Sequence, residues 1–302
     1  MAACNCDITL NNTGTPSCTP IMGVGVKPIM VPLTADDGTA NVITISSYTG
    51  SQAEWDARTE NLDRSKRYYP LPEFKNVEDV KGDTIFESFN DTSNLFVQEG
   101  TRTYTGILPN QAPTLLGNLK DAKCTKFGLF IIDDCGNLIG NISSDGLSLE
   151  PVPVDQNTWN PILIKSTDTT VQKIQLSFEF SRLTKDEDLR IIKSTDSDIA
   201  LLGLEGLVDL EASFATITAT GAFATVTYDR GEAANVPFEN VLVGEWTLFN
   251  KDTDLAVVPS SANETTAGVY EFVYTAQTAG DIMQLSLIKD GFELFKAEFV
   301  AV

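Results

Sequence analysis

The chain has 302 residues, with 42 Asp plus Glu against 21 Lys plus Arg and no histidine, so its formal net charge is -21 at pH 7. This charge repels nucleic-acid phosphate over most of the surface, which excludes a protein that wraps DNA or RNA tightly. The absence of histidine excludes Ser-His-Asp and Cys-His nucleophile pairs and imidazole metal ligands.

The length, at roughly 150 residues per domain, predicts two domains. No apolar run approaches the ~18 residues of a membrane span, and the N-terminus lacks the basic start and apolar stretch of a signal peptide. The five cysteines are Cys4, Cys6, Cys18, Cys124 and Cys135. An odd number of cysteines argues against a disulfide framework, and their spacing does not fit a structural zinc site. The sequence Asp196-Ser197-Asp198 does not fit a calcium-binding loop. We therefore expect no metal and no cofactor.

Strand patterns dominate residues 1 to 210. Apolar and β-branched runs predict strands at Gly25–Leu33, Asn41–Ser46, Thr84–Phe89, Leu95–Leu108, Phe127–Asp133, Asn137–Ile142, Pro161–Ser166 and Val171–Arg182. Between Ile132 and Leu138 the sequence Asp-Asp-Cys-Gly-Asn favours a tight turn, which makes 127–142 a predicted hairpin.

Three segments favour helix. Gln52–Leu62 and Ala112–Ala122 predict short helices. Thr184–Leu210 predicts a longer one, because Asp186, Glu187 and Asp188 would stabilise a helix N-terminus.

From residue 211 onward the pattern changes to short strands in close succession, separated by turns. Seven such stretches in about 90 residues predict an immunoglobulin-like β-sandwich. This part carries 13 acids and four bases, and residues 1 to 210 carry 29 acids and 17 bases. The negative charge therefore belongs to both folded parts, which we assign as domains 1–210 and 211–302.

The sequence contains one concentrated basic patch, and one interpretation is that it contacts an acidic partner. It is formed by Arg64, Lys66, Arg67 and Lys75, close to the aromatic residues Tyr68, Tyr69 and Phe74. The alternative is a solvated loop that leads into a strand. The sequence has no nucleotide-binding motif and no identifiable catalytic pair, so we expect no enzyme activity. An assembly or binding protein is therefore the favoured class.

Several short phrases resemble the tail tube proteins of tailed bacteriophages, in the same segment order. They are the Cys4-Asn-Cys-Asp7 start, Arg67-Tyr-Tyr-Pro-Leu-Pro72 and the following residues to Lys81, Glu87-Ser-Phe-Asn-Asp91, Glu187-Asp-Leu-Arg190 and Leu204-Glu-Gly-Leu207. The resemblance spans residues 1 to 210. It implies a mainly β fold, namely a tail-tube-like antiparallel β-barrel or sandwich with one or two short helices, preceded by an N-terminal arm and followed here by the immunoglobulin-like sandwich as a decoration.

The resemblance also implies a function. The chain would be a virion structural protein, made in the host cytoplasm, that assembles with itself into hexameric rings and with other tail proteins. Stacked rings would form a tube through which DNA passes without specific binding, because an acidic wall repels phosphate. The strands at 84–90 and 94–108 would line the bore, with Glu87, Asp91 and Glu99 as candidate lumen-facing acids.

Three alternatives belong to other classes. The first is a capsid or head-decorating virion protein whose C-terminal sandwich binds another virion protein or a host glycan. The second is a cell-surface or secreted carbohydrate-binding module, and the third is an enzyme that uses two carboxylates.

Overall fold

The computed structural model describes residues 21–90, 93–229 and 236–302. Strands account for 49% and helices for 13% of the structure, so the predicted mainly β fold is confirmed. The strands form an 11-stranded curled sheet, a nine-stranded system and a separate two-stranded hairpin. The resemblance places an N-terminal arm in the first 60 residues, and the structure describes this segment from Ile21 onward.

The first sheet and the hairpin take up the chain as far as Ile192. The strands are β1 (Gly25–Pro32), β2 (Ile43–Thr44), β3 (Tyr69–Pro70), β4 (Lys75–Lys81), β5 (Ile85–Ser88), β6 (Asn94–Gln98), β7 (Arg102–Pro109), β8 (Phe127–Asp133), β9 (Leu138–Ile142), β10 (Ser148–Glu150), β11 (Val152–Ile164), β12 (Lys173–Phe180) and β13 (Leu189–Ile192). The main path of the curled sheet runs β2-β10-β9-β8-β11-β12-β7-β4, with β1 beside β8, β3 beside β1 and β13 beside β9. Every pairing in this sheet is antiparallel.

Strand β8 lies between two hydrophobic cores. All seven of its residues are buried, and successive side chains of a strand point to opposite faces. Leu129 and Ile131 therefore belong to one core, and Phe130 and Ile132 to the other. A strand covered on both faces shows a continuous apolar run instead of alternation, as this one does.

Each of the two short helices covers one of these cores. Helix α1 (Gln52–Thr59) begins after Ser51, whose hydroxyl caps the Glu54 amide, and it buries Trp55. Helix α2 (Pro113–Asp121) buries Leu119, whose carbonyl accepts a hydrogen bond from the Trp159 indole at 2.7 Å. Both helices were predicted within three residues of their observed ends, and the hairpin β8–β9 is confirmed as well.

The long helix predicted over Thr184–Leu210 is wrong. Three short 3-10 turns, at Asp186–Asp188, Ser194–Asp196 and Leu201–Gly203, and strand β13 occupy this segment. Strand β13 pairs with the edge of β9, and Leu201 and Leu204 are buried in the core that contains Trp55. Pairing with an available sheet edge overrides the local helical preference.

The single strand predicted over Leu95–Leu108 is two strands. Strand β6 pairs only with β5, whereas β7 lies between β4 and β12, and the chain changes partners at Glu99–Thr101. Strand β4 carries four charged residues in seven, so its pattern did not predict a strand.

The second sheet system starts at Val208 and continues to Val300. Its strands are β14 (Val208–Thr218), β15 (Gly221–Tyr228), β16 (Val236–Pro237), β17 (Trp246–Asn250), β18 (Leu255–Val257), β19 (Ser261–Thr266), β20 (Val269–Val273), β21 (Ile282–Lys289) and β22 (Phe292–Val300). One sheet has the order β14-β15-β20-β19 and the other β18-β17-β21-β22. Strand β14 joins both, running parallel to β22 at its start and antiparallel to β15 from Leu210 onward. This is the strand arrangement of an immunoglobulin-like sandwich.

The core of the sandwich is closed by packing alone, since all five cysteines precede it. Trp246 on β17 has its ring edge-on to Tyr270 and Phe272, with centroids 5.1 and 5.0 Å away. A buried tryptophan at this strand position is a hallmark of immunoglobulin-like domains, and here aromatic rings take the place of the inter-sheet disulfide.

A buried ion pair joins the two sheet systems. Arg67 (2% exposed), after α1, and Glu293 (4% exposed), on β22, form a bidentate pair with N–O distances of 2.6 and 2.9 Å. Arg64 donates to the same carboxylate, and its guanidinium lies 3.7 Å from the Phe295 ring centre. The Arg67 Nε donates to the Asn61 carbonyl at 2.6 Å, so both charges are well paired away from water.

We predict that Glu293→Gln destabilises the chain by about 3 kcal/mol, because it leaves the Arg67 charge buried without its counter-ion. The matched control is Glu298→Gln on the same strand, where the carboxylate pairs with Lys251 at the surface and solvent screening makes the expected loss much smaller. Denaturant unfolding of the two variants measures the difference. Equal losses would contradict the prediction.

The same pair predicts a pH dependence. Burial by itself would raise the pKa of Glu293, but hydrogen bonds from Arg67 and Arg64 and their positive charge outweigh it and hold the pKa below its ordinary value of 4.5. A carboxylate with a depressed pKa stabilises the fold above its unfolded-state pKa and loses that contribution as the pH falls through the folded value. The stability gap between the wild type and Glu293→Gln should therefore be constant above about pH 5 and shrink below pH 4.5.

Candidate functional site: an exposed apolar hairpin

The hairpin β5–β6 is the most unusual surface of the chain. It leaves the curled sheet after β4, returns to it at β7, and neither of its strands pairs with any other described strand. An isolated two-stranded hairpin is at best marginally stable in water. This one also exposes large apolar side chains along its length, at Ile85, Phe86, Phe89, Leu95, Phe96 and Val97.

Two glycines form the neck of the hairpin. The Gly82 amide donates to the Thr101 carbonyl at 2.8 Å, and the backbone of Gly100 passes against the Gly82 carbonyl. A Cβ at position 100 would overlap that carbonyl and lie 2.7 Å from the Asp83 oxygen. The two chain segments can approach this closely because Gly100 has no side chain, whereas a Cβ at Gly82 would come no nearer than 3.3 Å to the Thr101 carbonyl.

Ion pairs tie the base of the hairpin to the rest of the sheet. Lys81 binds Glu99 across the neck at 2.5 Å and Asp186 at 2.8 Å, and Arg102 lies 3.6 Å from Asp186. These residues line one side of a cavity of about 410 Å³ at the open edge of the curled sheet. Burial raises the pKa of Asp79 in its wall, against the opposing effect of the Arg102 charge.

The three predicted lumen acids have different surroundings. Glu87 is exposed on β5 and lies opposite Leu95. Glu99 is at the neck, in its ion pair with Lys81. Asp91 lies outside the described residues.

All four cations of the predicted basic patch are paired with carboxylates of this same chain. Arg64 and Arg67 bind Glu293, and Arg64 also reaches Asp209. At the surface, Lys66 binds Asp37 at 2.6 Å and Lys75 binds Glu73 at 2.5 Å. The acidic group that the arginines contact is thus within the sandwich, 229 positions further along the chain from Arg64.

The predicted β8–β9 turn brings Asp133, Asp134 and Cys135 within 4.8 Å of one another. The buried Asp133 carboxylate accepts hydrogen bonds from the amides of Gly23, Cys135 and Asn137 and from the Asn137 side chain. These hydrogen bonds close the turn and hold the start of β1 in place, which explains the position of the Asp133 carboxylate. Cys124 and Cys135 are free and exposed, and Cys4, Cys6 and Cys18 lie outside the described residues.

The apolar hairpin was visible in the sequence only in part. Strand β5 was predicted, and β6 was predicted as the first part of one longer strand; both were expected to line the bore of a ring. The stretch Leu95-Phe96-Val97 indicates apolar side chains on both faces, because three consecutive apolar residues cannot all point to one side of a regular strand, but such a run is equally typical of a strand that is buried on both faces.

No protein-family model, curated protein or solved structure matches this chain. Among the described residues, no helix has the length and apolar character needed to cross a membrane.

We predict that Gly100→Ala destabilises the neck by about 1 to 3 kcal/mol, because the new methyl group meets backbone atoms that cannot rotate away. Gly117→Ala is the control: it has no neighbouring atom within 4 Å, lies in α2 and should be neutral or stabilising by up to ~1 kcal/mol. Hydrogen exchange at the Gly82 amide, together with thermal unfolding, measures the effect. Unchanged protection of this amide in Gly100→Ala would contradict the close approach.

Proposed function

We propose that this chain is a virion structural protein that associates with copies of itself into stacked rings, as a subunit of a bacteriophage tail tube. The single observation that carries self-association is the exposed apolar hairpin β5–β6. Water-exposed apolar surface of this kind marks a contact with another macromolecule. The class of assembly rests on the resemblance of residues 1–210 to tail tube proteins.

The distribution of charge supports association between copies at the hairpin. Two copies that each carry a charge of -21 repel one another over most of their surfaces. The nine residues of β5 and β6 contain one ionisable side chain, Glu87. Contact at these strands therefore combines a gain from apolar burial with a small Coulomb cost.

The overall charge also supports the proposed relation to DNA. A tube built from such subunits presents carboxylates to phosphate, and the resulting repulsion keeps nucleic acid mobile in the bore. The bidentate ion pair between Arg67 and Glu293 fastens the C-terminal sandwich to the rest of each subunit.

We expect the purified chain to form rings or tubes that are visible by negative-stain microscopy and whose mass in sedimentation increases with protein concentration. A variant in which residues 83–99 are replaced by an Asn-Gly turn should remain monomeric, because the apolar contact is lost while the three cores are intact. Thermal unfolding verifies that the shortened chain is folded.

A wild-type chain that stays monomeric at high concentration would contradict the proposal and favour a capsid-decorating protein. Tubes formed by the shortened chain would contradict the role of the hairpin.

A further inference from the structure

The hairpin β5–β6 is apolar on both of its faces. Phe86 lies directly opposite Phe96, with ring centroids 6.2 Å apart, and each side chain is 56% exposed. The next pair along the hairpin, Glu87 and Leu95, points to the other face, where Leu95 is 60% exposed. Ile85, which is 48% exposed, alternates with Phe86 along β5 and shares that second face, which we call the leucine face; the first is the phenylalanine face.

A hairpin that docks against one partner needs only one apolar face. Antiparallel sheets with one solvated face alternate apolar and polar residues, because the outer side chains remain in water. The hairpin β5–β6 lacks this alternation, so docking through either face alone would leave the other apolar face exposed.

Each face is also too small to hold a pair of copies together. One partner of a standard stable interface buries about 800 Å². Two half-exposed phenylalanines, from side chains that bury roughly 150 to 250 Å² each when fully covered, supply only part of this area. Small contacts of this kind become stable when many copies close into one assembly, where each further contact is effectively intramolecular.

Resting on the proposed function, we infer that each hairpin is held between two other copies of this chain, with the phenylalanine face against one and the leucine face against the other. Copies of this chain are favoured as both partners because the two faces share the low charge of these strands. A basic protein would instead be attracted to the acidic surfaces elsewhere on the molecule.

This arrangement has two structural consequences. A hairpin with two different faces makes two different contacts, which produces a closed ring or a filament and not a simple two-fold dimer. It also places Glu87 at the border of a contact between copies, in place of the open bore that the sequence suggested.

Two double variants test the inference, one for each face. Phe86→Thr with Phe96→Thr changes the phenylalanine face, and Ile85→Thr with Leu95→Thr changes the leucine face; threonine preserves the strand preference. The matched control, Leu255→Thr with Val258→Thr, changes two exposed apolar residues on the sandwich. Sedimentation velocity and negative-stain microscopy are compared over a range of concentrations, and thermal unfolding checks that each variant is folded.

We expect each face variant to raise the concentration needed for assembly about tenfold or more, and the control to assemble like the wild type. Normal assembly by either face variant, in a wild-type chain that does assemble, overturns the two-partner contact and leaves the proposed function standing. Loss of assembly in the control as well would equally overturn it, because the effect would then not be specific to the hairpin. Failure of the wild type to assemble refutes the proposed function itself.

Discussion

The buried ion pair between Arg67 and Glu293 is the constraint on which the arrangement of the whole chain depends. It joins a loop of the curled sheet to the last strand of the sandwich, and both partners are almost completely removed from water. Such a pair is weak evidence for high stability, because desolvation offsets much of the Coulomb gain. What it supplies here is orientation: a planar guanidinium bound through two hydrogen bonds tolerates little rotation of one half against the other.

With the two halves fixed, the exposed hairpin has a defined direction relative to both. The neck at Gly82 and Gly100 attaches it to the end of β4 and β7, and Lys81 ties this end to Asp186 and Glu99. A projecting apolar element would be an aggregation hazard on a freely moving chain. On a rigid subunit it can meet the same surface of each neighbour, which is what an ordered assembly requires.

The sequence correctly predicted most helices and strands for which the local residue pattern and the tertiary environment favour the same secondary structure. The alternation in Val171–Arg182 matches β12, and the Asp-Gly-Asn turn matches the β8–β9 hairpin, because turn chemistry acts within a few residues. The helix predicted at Thr184–Leu210 failed since its acids and leucines also suit short turns that pack against a distant sheet. Strand β4 was missed because it is rich in charged residues, as edge strands often are, and the local sequence does not show that a segment will lie at the edge of a sheet.

The amino-acid sequence by itself determined the β-rich class, seven of the nine strands of the C-terminal sandwich and an acidic charge spread over both halves. These properties follow from local alternation and composition. Only the tertiary structure decided that the two arginines of the basic patch, Arg64 and Arg67, bind Glu293, because Arg67 and Glu293 are 226 residues apart in the chain. The tertiary structure likewise decided that β5 and β6 leave the sheet with both faces in water. An apolar residue type does not indicate whether its side chain is buried, because burial depends on which strands pack against it.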